Sequence, residues 1–171
     1  LPGELMLLDP APVDAVDGAG TVQPIAHGRH LPLNVRPAAP VRMLFTGHMD
    51  TVFPADHPFQ TATWLPDGTL NAPGAADMKG GIAVMLAALN AIEAAPDAAR
   101  FGYEVILNSD EETGSLSSAP LIARAAAGKV AALTYEPALP DGTLAGARGG
   151  TGNFSITVHG LCAHAGRKPE D

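Results

Sequence analysis

The chain contains a single cysteine, Cys162, among its 171 residues. An internal disulfide is therefore impossible, and a metal site built from several thiolates is excluded. Any metal held here must be bound by His, Asp and Glu. Basic residues are the second scarcity: 10 Lys and Arg face 18 Asp and Glu, a formal net charge of −8. Nucleic acid and anionic membranes both select basic surfaces, so neither is expected as a partner. Long hydrophobic runs are scarce too, and none reads as a membrane span. The opening Leu1-Pro2-Gly3-Glu4 lacks the basic stretch of a signal peptide, and a cytoplasmic location is expected. There is no initiator Met, so either the chain was processed or its true beginning is missing.

What is present points to a folded protein. Hydrophobic residues make up 46% of the chain, enough for a core, and charged residues 16%, too few for a disordered one. The length suits one domain with the beginning of a second. Residues 1–40, rich in Pro, Gly and Ala, suggest at best one or two short strands. Val41-Arg42-Met43-Leu44-Phe45 reads as a buried strand. Thr63 to Leu70 reads as a hairpin turning at Asp67-Gly68. Gly80-Gly81 opens a helix whose apolar face is Ile82, Met85, Leu86, Leu89 and Ile92, and Pro96 ends it. Tyr103 to Leu107 is a second strand, followed by a helix over about 116–127 closed by Gly128. Val130 to Tyr135 is a third strand. Strands alternating with helices imply an α/β fold with a mostly parallel sheet. After Pro140 the texture changes, and the alternating stretch Asn153 to Val158 reads as an antiparallel-type strand opening another domain.

The chemistry-bearing residues follow the strands. His48 and Asp50 lie just past the first, Glu111 and Glu112 just past the second, and Glu136 just past the third. Asp77 sits in the Gly-rich loop feeding the first helix. In an open α/β sheet everything beyond the carboxyl ends of the strands converges on one crevice, where ligands bind. So many carboxylates cannot all stay ionised together unless a cation neutralises them. Nitrogen and oxygen donors without sulfur suit Zn²⁺, and also Mn²⁺ or Co²⁺. The donors outnumber the needs of one tetrahedral ion, which favours two metals roughly 3.5–4 Å apart sharing a carboxylate.

Each motif also has a plainer reading. His48 and Asp50, two apart on an extended chain, point the same way, so Asp50 is placed to orient a metal-bound imidazole; a capped loop with a solvated His fits equally. Asp77 suits a helix N-cap. Asp110-Glu111-Glu112 suits a solvated acidic turn, and Glu136-Pro137 a simple strand end. His164 taken alone suits the surface. Four plain readings coinciding at one sheet edge is the improbable outcome.

Five motifs occur in order: Gly47-His48-Met49-Asp50-Thr51-Val52, Asp77-Met78-Lys79-Gly80-Gly81, Ser109-Asp110-Glu111-Glu112-Thr113-Gly114-Ser115, Glu136-Pro137 and Ala163-His164-Ala165-Gly166. Together they resemble the dinuclear zinc metallohydrolase family of glutamate carboxypeptidase, acetylornithine deacetylase, succinyl-diaminopimelate desuccinylase and aminoacylase. The match runs from about residue 41 to the end, and Thr51-Val52-Phe53-Pro54 looks closer to the glutamate carboxypeptidase branch. The resemblance implies a three-layer zinc-peptidase-like domain over 1–145, lacking the family's first helix, and the start of a smaller α+β lid or dimerisation domain over 146–171. It implies that His48 and Glu136 bind one zinc, that Glu112 binds the other, and that Asp77 bridges both through a cis Asp77–Met78 peptide. Asp50 would support His48, and His164 would contact substrate.

The implied reaction is hydrolysis of an amide or peptide bond next to a free carboxylate, in an N-acyl amino acid or short peptide, by a homodimer. Glu111 would act as general base toward a water between the metals. Deacetylase or dipeptidase activity, or a noncatalytic binding module, are the alternatives; Glu111, a base that holds no metal, argues against the last. The family's final His ligand has no counterpart here. These 171 residues alone are therefore expected to hold the second metal weakly and to be inactive.

Overall fold

The computed structural model describes residues 1–146 except 18, and beyond them 149, 150, 152, 154, 156, 158, 160 and 166. The N-terminal forty residues supply three strands rather than one or two: β1 (Val13–Val16), β2 (Val22–Ile25) and β3 (Leu31–Val35). β1 and β2 form a separate antiparallel pair. β3 joins the main sheet although it carries Pro32, which cannot donate to a ladder; accordingly it takes an edge. Leu33 and Val35 alternate inward from it into the core.

The main sheet runs β3-β7-β4-β8, with β4 spanning Val41–His48, β7 Phe101–Asn108 and β8 Ala131–Thr134. β4 pairs in parallel with both β7 and β8, while β3 is antiparallel to β7. The sheet is thus mixed, parallel except at one edge. The first expected strand continues three residues further than its apolar run, so His48 is its last residue rather than the one beyond. The expected hairpin is present as β5 (Thr63–Trp64) and β6 (Leu70–Asn71), turning through Gly68 at φ +83° with Thr69 N–H donating to Asp67 Oδ1 (2.9 Å).

Two helices cover the two faces. α1 (Gly80–Ala94) lays Met85 and Leu89 onto Leu33, Val35, Phe45, Tyr103 and Val105. α2 (Ala119–Ala126) places Ala125 against Leu44 and Ile106 on the other side. Helix, sheet and helix make the three layers. α2 starts three residues later than expected because residues 111–118 are turns. Leu86, expected on the buried face of α1, is 46% exposed; Met85, Leu89 and Ile92 alone make a narrower stripe against the sheet. One further expectation needs correction. Taken together, the turn Ala75–Lys79 and α1, 20 residues over Ala75–Ala94, do reach the length and composition of a membrane span, although Asp77 and Met78 interrupt the helix. In this fold the same stretch buries Met78, Met85 and Leu89 as a core element. The expected lid strand, 153–158, falls half outside the described residues, and His164 lies wholly outside them.

At the end of the sheet away from the crevice, Arg36 sits in the β3–β4 turn at φ +48°. Its Nη1 donates to Glu93 Oε2 (2.9 Å), its Nη2 to Glu93 Oε1, and its Nε to the Phe101 carbonyl (2.6 Å). The clamp ties this turn to the last turn of α1. The Arg36 hydrogen bond, opposed by burial, draws the Glu93 carboxyl below its ordinary range. A depressed carboxyl stabilises the fold fully above its unfolded pKa and loses that contribution as pH falls. Glu93→Gln should therefore lower stability by about 1 kcal/mol at pH 7, with the difference shrinking below about pH 4. Thermal melts of both proteins from pH 3 to 7 check this; a pH-independent gap would refute it.

Candidate metal centre

Three strand ends and one turn build the site. β4 delivers His48, which is 1% exposed, and its N–H donates to Met78 Sδ (3.2 Å). Between β6 and α1 the chain makes a wide turn, Ala75–Lys79, in which Asp77 (φ −118°, ψ 100°) and Met78 leave helical geometry. The Asp77–Met78 peptide is cis, as the resemblance implies. The start of α1 receives no side-chain cap, so Asp77 is not spent as an N-cap. Its Oδ1 lies 3.1 Å from His48 Nε2. Glu136, two residues past β8, brings Oε1 to 3.8 Å from the same nitrogen. Glu112 completes the group: His48, Asp77 and Glu112 each offer a ligand atom within 4.8 Å of one another.

Asp50 lies on the other side of the imidazole. His48 Nδ1 is 3.1 Å from the Asp50 backbone carbonyl and 3.4 Å from its Oδ1. The main chain of Asp50 is thus the nearer partner, and the carboxylate expected to orient the ring shares that task. Its Oδ2 accepts the Glu112 N–H (3.0 Å), so Asp50 links the two halves of the site. Both ring nitrogens of His48 consequently face acceptors. That suits either an imidazolium or an Nδ1–H imidazole with a cation between Nε2 and the carboxylates. Burial works against charge on His48, but Asp77, Glu136 and Asp50 outweigh it and raise its pKa. Burial and the charge of Asp77 raise the Glu112 carboxyl. Burial, the Asp77 hydrogen bond and the Asp77 and Glu111 charges raise Glu136. These shifts are what several carboxylates gathered at one place produce, and the donor set fits a divalent cation of the zinc, cobalt or manganese type.

Glu111 is exposed at the rim and lies outside the mutual 4.8 Å group. A cavity of about 220 Å³ opens beside Asp77 and Glu112, walled by Val52, Phe53 and Ala72. Another of about 190 Å³ lies between Glu111 and Glu136. Among the described residues the expected ones therefore converge; His164 lies outside them.

Sequence reasoning missed the residue before Glu111. Asp110, read as part of a solvated turn, is 1% exposed. Burial alone would raise its pKa, but hydrogen bonds from Ser118, Ser117 and Asn108 prevail and hold the carboxyl far below its usual range. The paired Ser117-Ser118 ahead of the apolar run of α2 was the available hint.

The model of peptidase family M20/M25/M40 matches residues 44–161. The chain belongs to that family. It is 33% identical over 153 residues to succinyl-diaminopimelate desuccinylase of Helicobacter pylori, covering 82% of this chain and 37% of that one. It is 32% identical over 133 residues to carboxypeptidase G2 of a Pseudomonas species, covering 75% and 31%. The family member thus spans about a third of the length of these curated relatives. Its fold is similar to that of human carnosine dipeptidase 1, with a TM-score of 0.55 at 20% identity over 80% of this chain and 30% of that one.

Proposed function

We propose that this M20/M25/M40 family chain carries the larger share of a two-zinc hydrolase site that cleaves an amide or peptide bond next to a free carboxylate. The observation that carries the reading is His48 Nε2, 3.1 Å from Asp77 Oδ1 and 3.8 Å from Glu136 Oε1, with a ligand atom of Glu112 within 4.8 Å of those of His48 and Asp77. His48 and Glu136 would hold one ion, Glu112 the other, and Asp77 both. Residues 1–145 would be the catalytic domain and 146–171 the start of a lid, whose His164 meets the substrate. When bound, the ions supply Lewis acidity toward water and toward the scissile carbonyl. Glu111 accepts the proton of the attacking water on its carboxylate and delivers it to the leaving amine nitrogen. Asp50 holds the His48 ring and the Glu112 main chain in register. The names of the relatives, a desuccinylase and a carboxypeptidase, support an N-acyl amino acid or short peptide as substrate.

Elemental analysis of the intact protein, with a panel of N-acyl amino acids and dipeptides, tests this. Two zincs per chain and hydrolysis of at least one member of the panel are expected. Asp77→Asn should drop metal content to one zinc or fewer, because both ions lose a ligand. Unchanged zinc in that variant, or a metal-free native protein, would remove the reading.

A further inference from the structure

Asp110 is a buried carboxylate facing only neutral donors. Its Oδ1 accepts from Asn108 Nδ2 (3.1 Å), and its Oδ2 from Ser117 N–H (2.7 Å), Ser117 Oγ (2.8 Å) and Ser118 N–H (3.1 Å). Its backbone carbonyl accepts from Ser115 N–H (2.7 Å) and Thr113 Oγ1 (3.1 Å). One residue thus fastens the turn that follows it, through its carbonyl, and the approach to α2, through its side chain. Within the turn Gly114 (φ +99°) and Ser115 (φ +55°) both sit in the left-handed region, which a serine keeps only where its surroundings hold it. Glu111 and Glu112 project from the middle of it, and Asp50 Oδ2 holds the Glu112 N–H from the far side. Burying a charge costs free energy unless it is fully hydrogen-bonded. For filling space at this position an apolar side chain would serve with no such cost.

We propose that Asp110 is a positioning residue, whose carboxylate sets where Glu111 and Glu112 stand relative to His48 and Asp77. The proposal rests on the functional reading above. Asp110→Asn keeps the shape and leaves an oxygen for Ser117 and Ser118, but its NH2 then meets Asn108 Nδ2, donor against donor, and the charge that strengthens the remaining hydrogen bonds is gone. The turn shifts, and with it both glutamates.

The test uses the intact protein loaded with Co²⁺, comparing Asp110→Asn with Arg36→Ala, a variant that loosens the opposite end of the sheet. The melting temperature of each is measured first, and kcat, KM and the cobalt d–d bands are then taken well below it. Asp110→Asn should lose about tenfold or more in kcat with little change in KM, and its cobalt bands should shift. Arg36→Ala should melt earlier with kcat and bands intact. If Asp110→Asn does not fold, Ser117→Ala, which removes one donor to Oδ2, should give a smaller loss and shift of the same kind. Unchanged kcat and bands in the folded Asp110 or Ser117 variant, or changes that Arg36→Ala reproduces, would overturn the proposal. An unmodified protein without cobalt bands would overturn the metal reading and this one together, whereas normal bands in the unmodified protein with kcat and bands unchanged in Asp110→Asn would sink this one alone.

Discussion

Glu111→Gln in the intact protein should keep its full metal content and lose at least about a hundredfold in turnover, the scale expected when a general base is removed. Gln matches Glu in shape, so the turn survives: the Glu111 carbonyl still accepts the Gly114 N–H (2.8 Å). What disappears is the one carboxylate of the crevice that is well exposed and stands outside the group of mutual ligand atoms. Its charge nevertheless reaches Glu112 in that group and Glu136 beside it, since it raises the carboxyls of both. A proton acceptor in that position faces incoming water without being tied to an ion. Zinc analysis and steady-state kinetics on the same preparation separate the roles. Loss of zinc, with turnover falling only in proportion, would make Glu111 a ligand instead.

The parts of this fold that were legible in the sequence are those where one face is apolar and the period is regular. β4, β7 and α1 read correctly because Val, Ile, Leu and Met recur at spacings that only a strand or a helix can bury, whereas β8 was legible as a short apolar run although its four residues are exposed. β3 was not legible. Its burial depends on pairing with β7, seventy residues away, and Pro32 masks the alternation of Leu33 and Val35. The converging carboxylates were legible for a topological reason: Asp50, Glu111, Glu112 and Glu136 follow parallel strands, which end on one side, and Asp77 sits in the turn that feeds α1. Asp110 escaped the same logic, because nothing local distinguishes it from Glu111 and Glu112. Only the fold shows that its side chain turns back toward α2 while theirs turn outward. The role of the Asp50 main chain was hidden in the same way, since a motif displays side chains and not carbonyls.

Gly81→Ala should destabilise the protein by at least about 2 kcal/mol and weaken metal binding at the same time. On helix propensity alone the change would help, by up to about 1 kcal/mol, since Gly81 lies inside α1. Packing decides the sign. A Cβ at this position would lie 1.8 Å from the Tyr135 carbonyl oxygen and 2.9 Å from its carbon. Both are backbone atoms, so no rotamer change relieves the clash, and either the start of α1 or the chain leaving β8 must move. α1 is anchored by Met85 and Leu89 in the core, whereas β8 is an exposed edge strand. The Tyr135 segment therefore yields, and it carries Glu136, whose Oε1 stands 3.8 Å from His48 Nε2. The melting temperature should fall by about 5 °C or more, with a matching loss of zinc affinity in competition against a chelator. Gly146→Ala, whose Cβ would meet nothing within 4 Å, is the control and should change neither. A Gly81→Ala protein that melts at or above the unmodified temperature would show that the β8 edge absorbs the methyl group without strain, and that Glu136 is not held by this contact.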